Sequence, residues 1–119
     1  MPTFETWDIV RVPFPYTDRP VRQRRPALVI VAGEFAATHG LLWVVMITSA
    51  ENRGWPTDVA VSDLRAAGLP VPSIIRPAKI ATIEARDAQR LGSLDFRDRT
   101  EVARHLRFQL SVALAGTRN

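Results

Sequence analysis

Residues 27–47 have the sequence ALVIVAGEFAATHGLLWVVMI, and this stretch decides the fold. It contains two near-continuous apolar runs, Ala27–Ala32 and Leu41–Ile47, both rich in β-branched residues. Runs of this length and composition predict strands that are buried on both faces. The link between them, Gly33–Gly40, has the length of a long hairpin or of a short helical turn. The stretch therefore predicts two sheet strands that need cover on both sides.

Shorter patterns on either side add strands to this sheet. Trp7–Val12 is predicted as a strand, with Trp7, Ile9 and Arg11 on one face, and Pro13 then stops it because proline cannot donate to a sheet ladder. Four more short strands are predicted downstream: Asp58–Val61, Ser73–Arg76, Lys79–Ala85 and Arg90–Leu94. The chain thus contains about six or seven short strands.

Two helices are predicted. Leu64–Ala67 can form one or two turns, with Ser62 or Asp63 as the N-cap and Gly68 at the end. Asp95–Ala115 is the long helix, with Asp95 in position to cap it. Its apolar residues recur at helical spacing and form one stripe: Val102, Leu106, Leu110, Ala113 and Leu114.

This order of elements predicts a mainly β (α+β) domain that spans residues 1–119. We expect a small, strongly bent antiparallel sheet or partial barrel with the C-terminal helix packed on it. One amphipathic helix can cover only one face of the doubly apolar strands. A second copy of the chain is therefore expected to cover the other face, which predicts a homodimer.

The composition excludes several classes of protein. There is no cysteine, so no disulfide framework, thiolate metal site or cysteine nucleophile is expected. The longest apolar run has seven residues, too few to span a membrane, and no secretory signal opens the sequence. We expect a soluble cytoplasmic protein. The two histidines, His39 and His105, have no reason to meet, and no metal-binding, Walker A or serine-hydrolase motif occurs, so no metal or cofactor is expected.

Arginine dominates the charge. The formal net charge is +4, and fifteen of the sixteen basic residues are arginine, which a GC-rich genome could explain by itself. Placement is more informative: Arg19, Arg22, Arg24 and Arg25 fall within seven residues of the proline-rich stretch Pro13–Pro26. An arginine fork binds phosphate bidentately, so this loop is expected to bind RNA backbone or an acidic partner. A solvated basic loop is the alternative.

Arginines and hydroxyls, with no cysteine and no pair of histidines, suit one reaction class. In RNA cleavage the substrate's own 2′-hydroxyl can attack the adjacent phosphate, so the protein need not supply a nucleophile. It must orient the sugar and phosphate and stabilise the charge of the phosphorane. Arginine and a serine or threonine hydroxyl can do both.

Several motifs, in their order and spacing, resemble the MazF/PemK family of toxin endoribonucleases over nearly the whole chain. The first strand and the arginine–proline step carry the opening of the pattern, and the third strand and the two later strands continue it. The matching stretches are Trp7–Asp18, Arg24–Ile30, Met46–Ser49, Ile75–Glu84 and Arg90–Gly92. Two positions depart from the pattern. Trp7 stands where many members carry glycine, and Asp18 is the only carboxylate of a first loop that often holds a glutamate.

The resemblance implies an SH3-like barrel, a homodimer, metal-independent cleavage of single-stranded RNA and inhibition by an acidic antitoxin. It places two catalytic residues, Arg25 at the scissile phosphate and Thr48 at a non-bridging oxygen. The expected products carry 2′,3′-cyclic phosphate and 5′-hydroxyl ends. The residues expected to bind RNA are Arg19, Arg22, Arg24, Ser49, Trp55 and Lys79.

Each of these assignments has an alternative. Arg25 could be a structural partner of a carboxylate such as Asp8, and Thr48 could be a simple strand former. Trp55 could stack a base or fill a dimer interface. At the level of function, the alternatives are a gyrase-poisoning toxin of the CcdB type and an inactive member that binds nucleic acid.

Overall fold

The sheet contains six strands, all paired antiparallel. The computed structural model describes residues 3–14 and 23–116. Its strands are β1 (Asp8–Pro13), β2 (Arg24–Val31), β3 (Leu41–Ser49), β4 (Val59–Ala60), β5 (Ser73–Glu84) and β6 (Gln89–Ser93). They lie in the order β4-β5-β3-β2-β1-β6 and curl into a half-barrel, which confirms the predicted fold class.

Both faces of the central strands β2 and β3 are buried within one chain. One apolar cluster includes Val10, Val29 and Val44, and a second includes Leu28 and Val45, all with zero exposure. The sequence argument for a dimer, that a second copy must cover one face of these strands, is therefore wrong in that form. Residues such as Phe4 and Ala36 cover one face and residues such as Val61 and Val102 cover the other, so these strands do not by themselves require a second copy.

The break predicted between Arg76 and Lys79 is a bulge inside one long strand. Met46 pairs with Arg76, and the next residue back along β3, Val45, pairs with Ile80. The intervening residues, 77–79, have no partner opposite them, as expected where a proline cannot donate. The prediction of two separate strands is thus wrong, although it placed the irregularity correctly.

The shorter helices follow the sequence pattern. The link between β2 and β3 forms α1 (Gly33–His39), which ends at Gly40 in the left-handed conformation with φ of 69°. The predicted short helix is α2 (Leu64–Ala67), and Asp63 caps it by accepting a hydrogen bond from the Ala66 N–H at 3.0 Å. Two single 3₁₀ turns, Ala50–Asn52 and Ala85–Asp87, follow β3 and β5.

The long helix α3 (Phe96–Ala115) buries its apolar stripe only in its first half. Asp95 is its N-cap, as predicted, and accepts a hydrogen bond from the Arg97 N–H at 2.9 Å. Val102 is buried and Leu106 is half-buried, but the other stripe residues, Leu110, Ala113 and Leu114, are exposed. The stripe was therefore predicted correctly as a helix face and wrongly as a continuous core contact. No helix within residues 3–14 and 23–116 is long and apolar enough to cross a membrane.

Trp7 has a positive φ of 82°, the only non-glycine residue with this conformation among the described residues. Its N–H donates to the Val29 carbonyl at 2.8 Å, and its own carbonyl accepts from the Leu94 N–H at 2.9 Å. These two bonds fix the peptide where the chain enters β1. A left-handed backbone is the conformation that glycine adopts most readily, which accounts for the glycine of the pattern that the sequence resembles.

Candidate functional site

The antiparallel pairing of β2 with β3 brings Arg25 and Thr48 together. Ala27 pairs with Met46, and extending this register by two residues sets Arg25 opposite Thr48. The Arg25 Nη2 donates to Thr48 Oγ1 at 3.4 Å. Thr48 is buried, so its hydroxyl has few partners other than those the strands provide. The two residues assigned to catalysis from the sequence are therefore in direct contact.

A cavity of about 320 Å³ opens at this contact and is called the arginine cavity below. Three of its lining side chains are arginines, and none of its described lining residues is Asp, Glu, His or Cys. Such a lining favours an anion. The lining consists of Arg11, Arg24, Arg25, Pro26, Thr48, Ser49, Leu69, Pro70, Val71, Ser73 and Leu91.

Two of the arginines are placed by hydrogen bonds that leave donors unused. The Arg24 Nη2 donates to the Arg11 carbonyl at 3.3 Å and to the Asp87 carbonyl at 3.2 Å, which ties it to β1 and to the turn before β6. The Arg25 Nε is buried and has no hydrogen-bond partner among the described residues. A buried donor without a partner costs about 1–3 kcal/mol, and a functional ligand is one reason for a fold to keep one.

A second group of side chains, the tryptophan cluster, lies beside the cavity and consists of Trp55, Asp58, Arg76 and Lys79. Arg76 forms a bidentate ion pair with Asp58, with both nitrogen–oxygen distances at 3.0 Å and both side chains buried. The Arg76 guanidinium carbon lies 4.3 Å from the Trp55 ring centroid, and Lys79 Nζ lies 5.8 Å from it. Both are cation–π distances. Trp55 is 43% exposed, so part of the ring faces solvent.

Asp58 holds the loop that carries Trp55. Its carboxylate accepts hydrogen bonds from the N–H groups of Gly54 and Trp55, each at 3.1 Å. Burial alone would raise the pKa of Asp58, but the hydrogen bonds from Arg76, Trp55 and Gly54 lower that pKa below its ordinary value of 3.8. The carboxylate is therefore ionised at neutral pH, and it fixes the loop from within.

Asn52 joins the cavity to the tryptophan cluster. Its side-chain Nδ2 donates to Thr48 Oγ1 at 2.9 Å, and its carbonyl accepts from the Arg76 Nη2 at 2.8 Å. A continuous chain of hydrogen bonds therefore runs from Arg25 through Thr48 and Asn52 to Arg76.

The structure brings most of the predicted site residues together in two neighbouring groups. Four of them, Arg24, Arg25, Thr48 and Ser49, line the arginine cavity, while Trp55 and Lys79 lie in the tryptophan cluster. Arg19 and Arg22 lie outside the described residues.

The alternative pairing of Arg25 with Asp8 is not found. Asp8 pairs instead with Arg90, at 3.2 Å, and accepts a hydrogen bond from the Glu5 N–H. The histidines take no part in the cavity: His39 contacts Phe35, and His105 lies 3.4 Å from Glu101.

Four residues of the site were missed from the sequence: Arg11, Asn52, Asp58 and Arg76. Arg76 carried a usable signal, because a charged residue within a buried strand segment requires a partner. Its partner, Asp58, lies eighteen residues away along the chain. No local pattern near Arg76, including the β5 bulge that follows it, indicates that ion pair. Asn52 gave only a turn signal.

Two further observations on the described residues bear on this assignment. In the described parts of the chain, no group of three or more His, Cys, Asp or Glu residues could hold a metal ion. A larger cavity of about 690 Å³ lies between the N-terminal segment and α1. Its lining, which includes Phe4 and Ala36, is mostly apolar and brings only Glu84 and Arg86 as charged groups.

Comparison with known proteins gives a family and a fold. A family model described as "PemK-like, MazF-like toxin of type II toxin-antitoxin system" matches residues 5–110. A search of the curated proteins gives no match.

Among solved structures, MazF from Deinococcus radiodurans has a TM-score of 0.77 at 21% identity, covering 93% of this chain and 99% of its own. An endoribonuclease in complex with its cognate antitoxin from a Mycobacterial species has a TM-score of 0.70 at 17% identity, covering 89% of this chain and 93% of its own. The Mycobacterium tuberculosis toxin MazF-mt6 has a TM-score of 0.60 at 25% identity, covering 75% of this chain and 88% of its own.

Proposed function

The chain belongs to the PemK-like, MazF-like toxin family of type II toxin–antitoxin systems, and from this premise we propose that it is a metal-independent endoribonuclease. Toxins of this family are endoribonucleases. The observation that carries the proposal is the contact between Arg25 and Thr48 inside a cavity lined by three arginines. The substrate is single-stranded RNA, with messenger RNA as the cellular target.

The reaction is a transesterification within the RNA. The 2′-hydroxyl oxygen attacks the adjacent phosphorus, a new O2′–P bond forms, and the P–O5′ bond breaks. The 2′-hydroxyl loses its proton and the departing 5′ oxygen gains one, so the products are a 2′,3′-cyclic phosphate and a 5′-hydroxyl. The protein contributes orientation and charge stabilisation, and no covalent intermediate is formed with it.

The two contacting residues divide the work on the phosphate. Arg25 stabilises the negative charge that builds up on the phosphorane, and a bound phosphate oxygen would also supply an acceptor for its unpartnered Nε. Thr48 donates a hydrogen bond from its hydroxyl to a non-bridging oxygen. Arginine stays protonated at neutral pH, so Arg25 acts by stabilising charge and not as a general base, and the described cavity lining adds no carboxylate or histidine. The 2′-hydroxyl proton leaves to solvent.

The surrounding residues bind the rest of the RNA. Arg11 and Arg24 contact the backbone phosphates on either side of the scissile one, and Ser49 lines the same cavity. The exposed part of Trp55 stacks a base, with Lys79 beside it to pair with a phosphate. The same cationic surface suits an acidic antitoxin, which would inhibit by occupying it. We further propose that the active form is a homodimer.

The test is cleavage of single-stranded RNA by the purified protein in the presence of EDTA. We expect fragments with 2′,3′-cyclic phosphate and 5′-hydroxyl ends, at a rate that EDTA does not change. Arg25→Ala and Thr48→Ala should each lower kcat by about 100-fold or more, because each removes a donor to the transition state. Arg65→Ala, an exposed arginine on α2 outside the site, is the matched control and should cleave at the wild-type rate.

Two results would contradict the proposal. If the folded wild-type protein leaves every tested RNA intact, the proposed endoribonuclease activity is wrong. A gyrase supercoiling assay would then test the alternative toxin type. Full activity in the Arg25 or Thr48 variant would place the chemistry elsewhere on the chain.

A further inference from the structure

The Thr48 hydroxyl has both of its acceptor positions filled. Asn52 Nδ2 donates to Thr48 Oγ1 at 2.9 Å, and Arg25 Nη2 donates to the same oxygen at 3.4 Å. A hydroxyl has one proton to donate and two lone pairs with which to accept. With both lone pairs engaged, the one bond left to Thr48 is donation of its own proton. It therefore presents a donor to whatever occupies the arginine cavity.

Asn52 is fixed independently of Thr48. It closes the 3₁₀ turn Ala50–Asn52, and its carbonyl accepts a hydrogen bond from Arg76. Arg76 is in turn locked by its ion pair with Asp58. The side-chain amide thus reaches Thr48 from a loop that is anchored elsewhere, and a donor held in this way needs little reorganisation during a reaction.

Arg25 cannot do the same work throughout the reaction. Its Nη2 forms the longer of the two bonds to Thr48, and the same guanidinium is the group assigned to the scissile phosphate. When Arg25 turns toward a bound phosphate, this 3.4 Å contact is the one it gives up. Among the described residues, Asn52 then remains as the donor that orients the hydroxyl.

We propose that Asn52 is a positioning residue for the RNA cleavage proposed above, on which this inference rests. By occupying a lone pair of Thr48 Oγ1, Asn52 turns the hydroxyl proton toward a non-bridging oxygen of the scissile phosphate. A phosphate oxygen only accepts hydrogen bonds, so a Thr48 that offered it a lone pair would repel it. Asn52 acts through Thr48 and makes no contact with the RNA.

The variant that tests this is Asn52→Asp, which keeps the size of the side chain and replaces the donor by an acceptor. The Thr48 proton would then point to the carboxylate and away from the phosphate. We expect kcat to fall by about 100-fold, similar to loss of one transition-state donor. Asn52→Ala, which removes the donor without reversing it, should lower kcat by about tenfold. KM should change little in the Ala variant, because the arginines that bind the backbone are untouched.

The control is Arg53→Ala, which disturbs the same turn without touching Thr48. Arg53 is exposed, and within the described part of the chain its side chain donates only to the Ala50 carbonyl, from Nη1 at 2.9 Å. Its variant should cleave at the wild-type rate. Thermal unfolding of every variant checks that the fold is intact.

A double-mutant cycle shows whether Asn52 works through Thr48. In a Thr48→Ala background, Asn52→Ala should cost less than a factor of two, because there is no hydroxyl left to orient. A substrate with sulfur in place of one non-bridging oxygen provides a second readout. The wild type should cleave one of the two sulfur diastereomers more slowly than the all-oxygen substrate. In Asn52→Asp, as in Thr48→Ala, the two substrates should be cleaved at the same rate. A purely structural role for Asn52 would leave the sulfur penalty unchanged.

The outcomes separate this inference from the proposed function. If the wild type cleaves RNA and Asn52→Asp cleaves equally fast, or if the effects of Asn52→Ala and Thr48→Ala multiply, the positioning role is wrong and the endoribonuclease proposal stands. If the folded wild type cleaves no RNA, the function fails and the positioning role fails with it.

Discussion

Asp58 shows how one buried carboxylate can determine the pH range of the site. Its pKa lies below the ordinary 3.8, because the hydrogen bonds from Arg76, Trp55 and Gly54 outweigh the effect of burial. A carboxyl group with a depressed pKa in the folded state contributes its full stability above the unfolded pKa. That contribution is lost as the pH falls from about 3.8 through the lower folded value. Acid should therefore loosen the tryptophan cluster.

We expect Asp58→Asn to flatten the dependence of unfolding free energy on pH below about pH 4. Asp58→Ala should lower the unfolding free energy by about 3–5 kcal/mol at neutral pH, because it leaves Arg76 buried without its carboxylate partner. Urea unfolding measured from pH 3 to pH 7 checks both. Asp87→Asn, which neutralises an exposed carboxylate outside the cluster, should keep the wild-type pH dependence. An equal flattening in that control would contradict the role of Asp58.

The residues of the site differ in how far the sequence could predict them. Arg25 and Thr48 stand in motifs that resemble a family, and antiparallel pairing of their strands was enough to bring them together. Asn52 and Asp58 belong to no motif, because their roles depend on which backbone and side-chain atoms the loop brings to Arg76. Such contacts follow from tertiary packing, and a turn signal does not encode them.

At the level of elements, the start of α3 is anchored by a buried acceptor. The Asp98 Oδ2 accepts from the Ser62 N–H at 2.8 Å and from the Ser62 hydroxyl at 2.9 Å, and Asp98 is buried. Asp98→Ala removes both hydrogen bonds of this buried acceptor and should lower the unfolding free energy by about 1–3 kcal/mol. Ser62→Ala removes only the hydroxyl bond and should cost about 1 kcal/mol or less. Urea unfolding of the two variants tests this order, and a reversed order would contradict it.

The sequence predicted elements better than it predicted their contacts. Alternation and apolar runs placed the strands, and Asp63 and Asp95 marked the starts of two helices. The bulge in β5 was mistaken for a strand end because Pro77 removes a ladder donor. The Pro77 carbonyl accepts a hydrogen bond from the Gln109 side chain of α3 at 3.0 Å. No local sequence pattern predicts this contact.

For the whole molecule, the second half of α3 is the surface that best suits a dimer interface. Phe108 and Val112 lie one turn apart on this helix and are 80% and 83% exposed. Large apolar side chains exposed in this way favour an interface. We expect Phe108→Glu to convert the proposed homodimer to a monomer at micromolar concentration, as measured by sedimentation velocity.

Phe96→Glu is the matched control, since Phe96 is also an exposed aromatic residue of α3 but lies at its opposite end. It should leave the dimer intact. A Phe108→Glu variant with the wild-type mass, or equal dissociation by both variants, would move the interface away from the second half of α3.

Trp7 has a consequence for how such chains diverge. A left-handed tryptophan costs about 1–2 kcal/mol relative to glycine, while its half-buried ring gains about 2 kcal/mol by packing against the second apolar cluster. Because the two free energies are similar, this position can hold either glycine or a large apolar residue with little change in stability. It therefore constrains a backbone angle more tightly than it constrains a side chain.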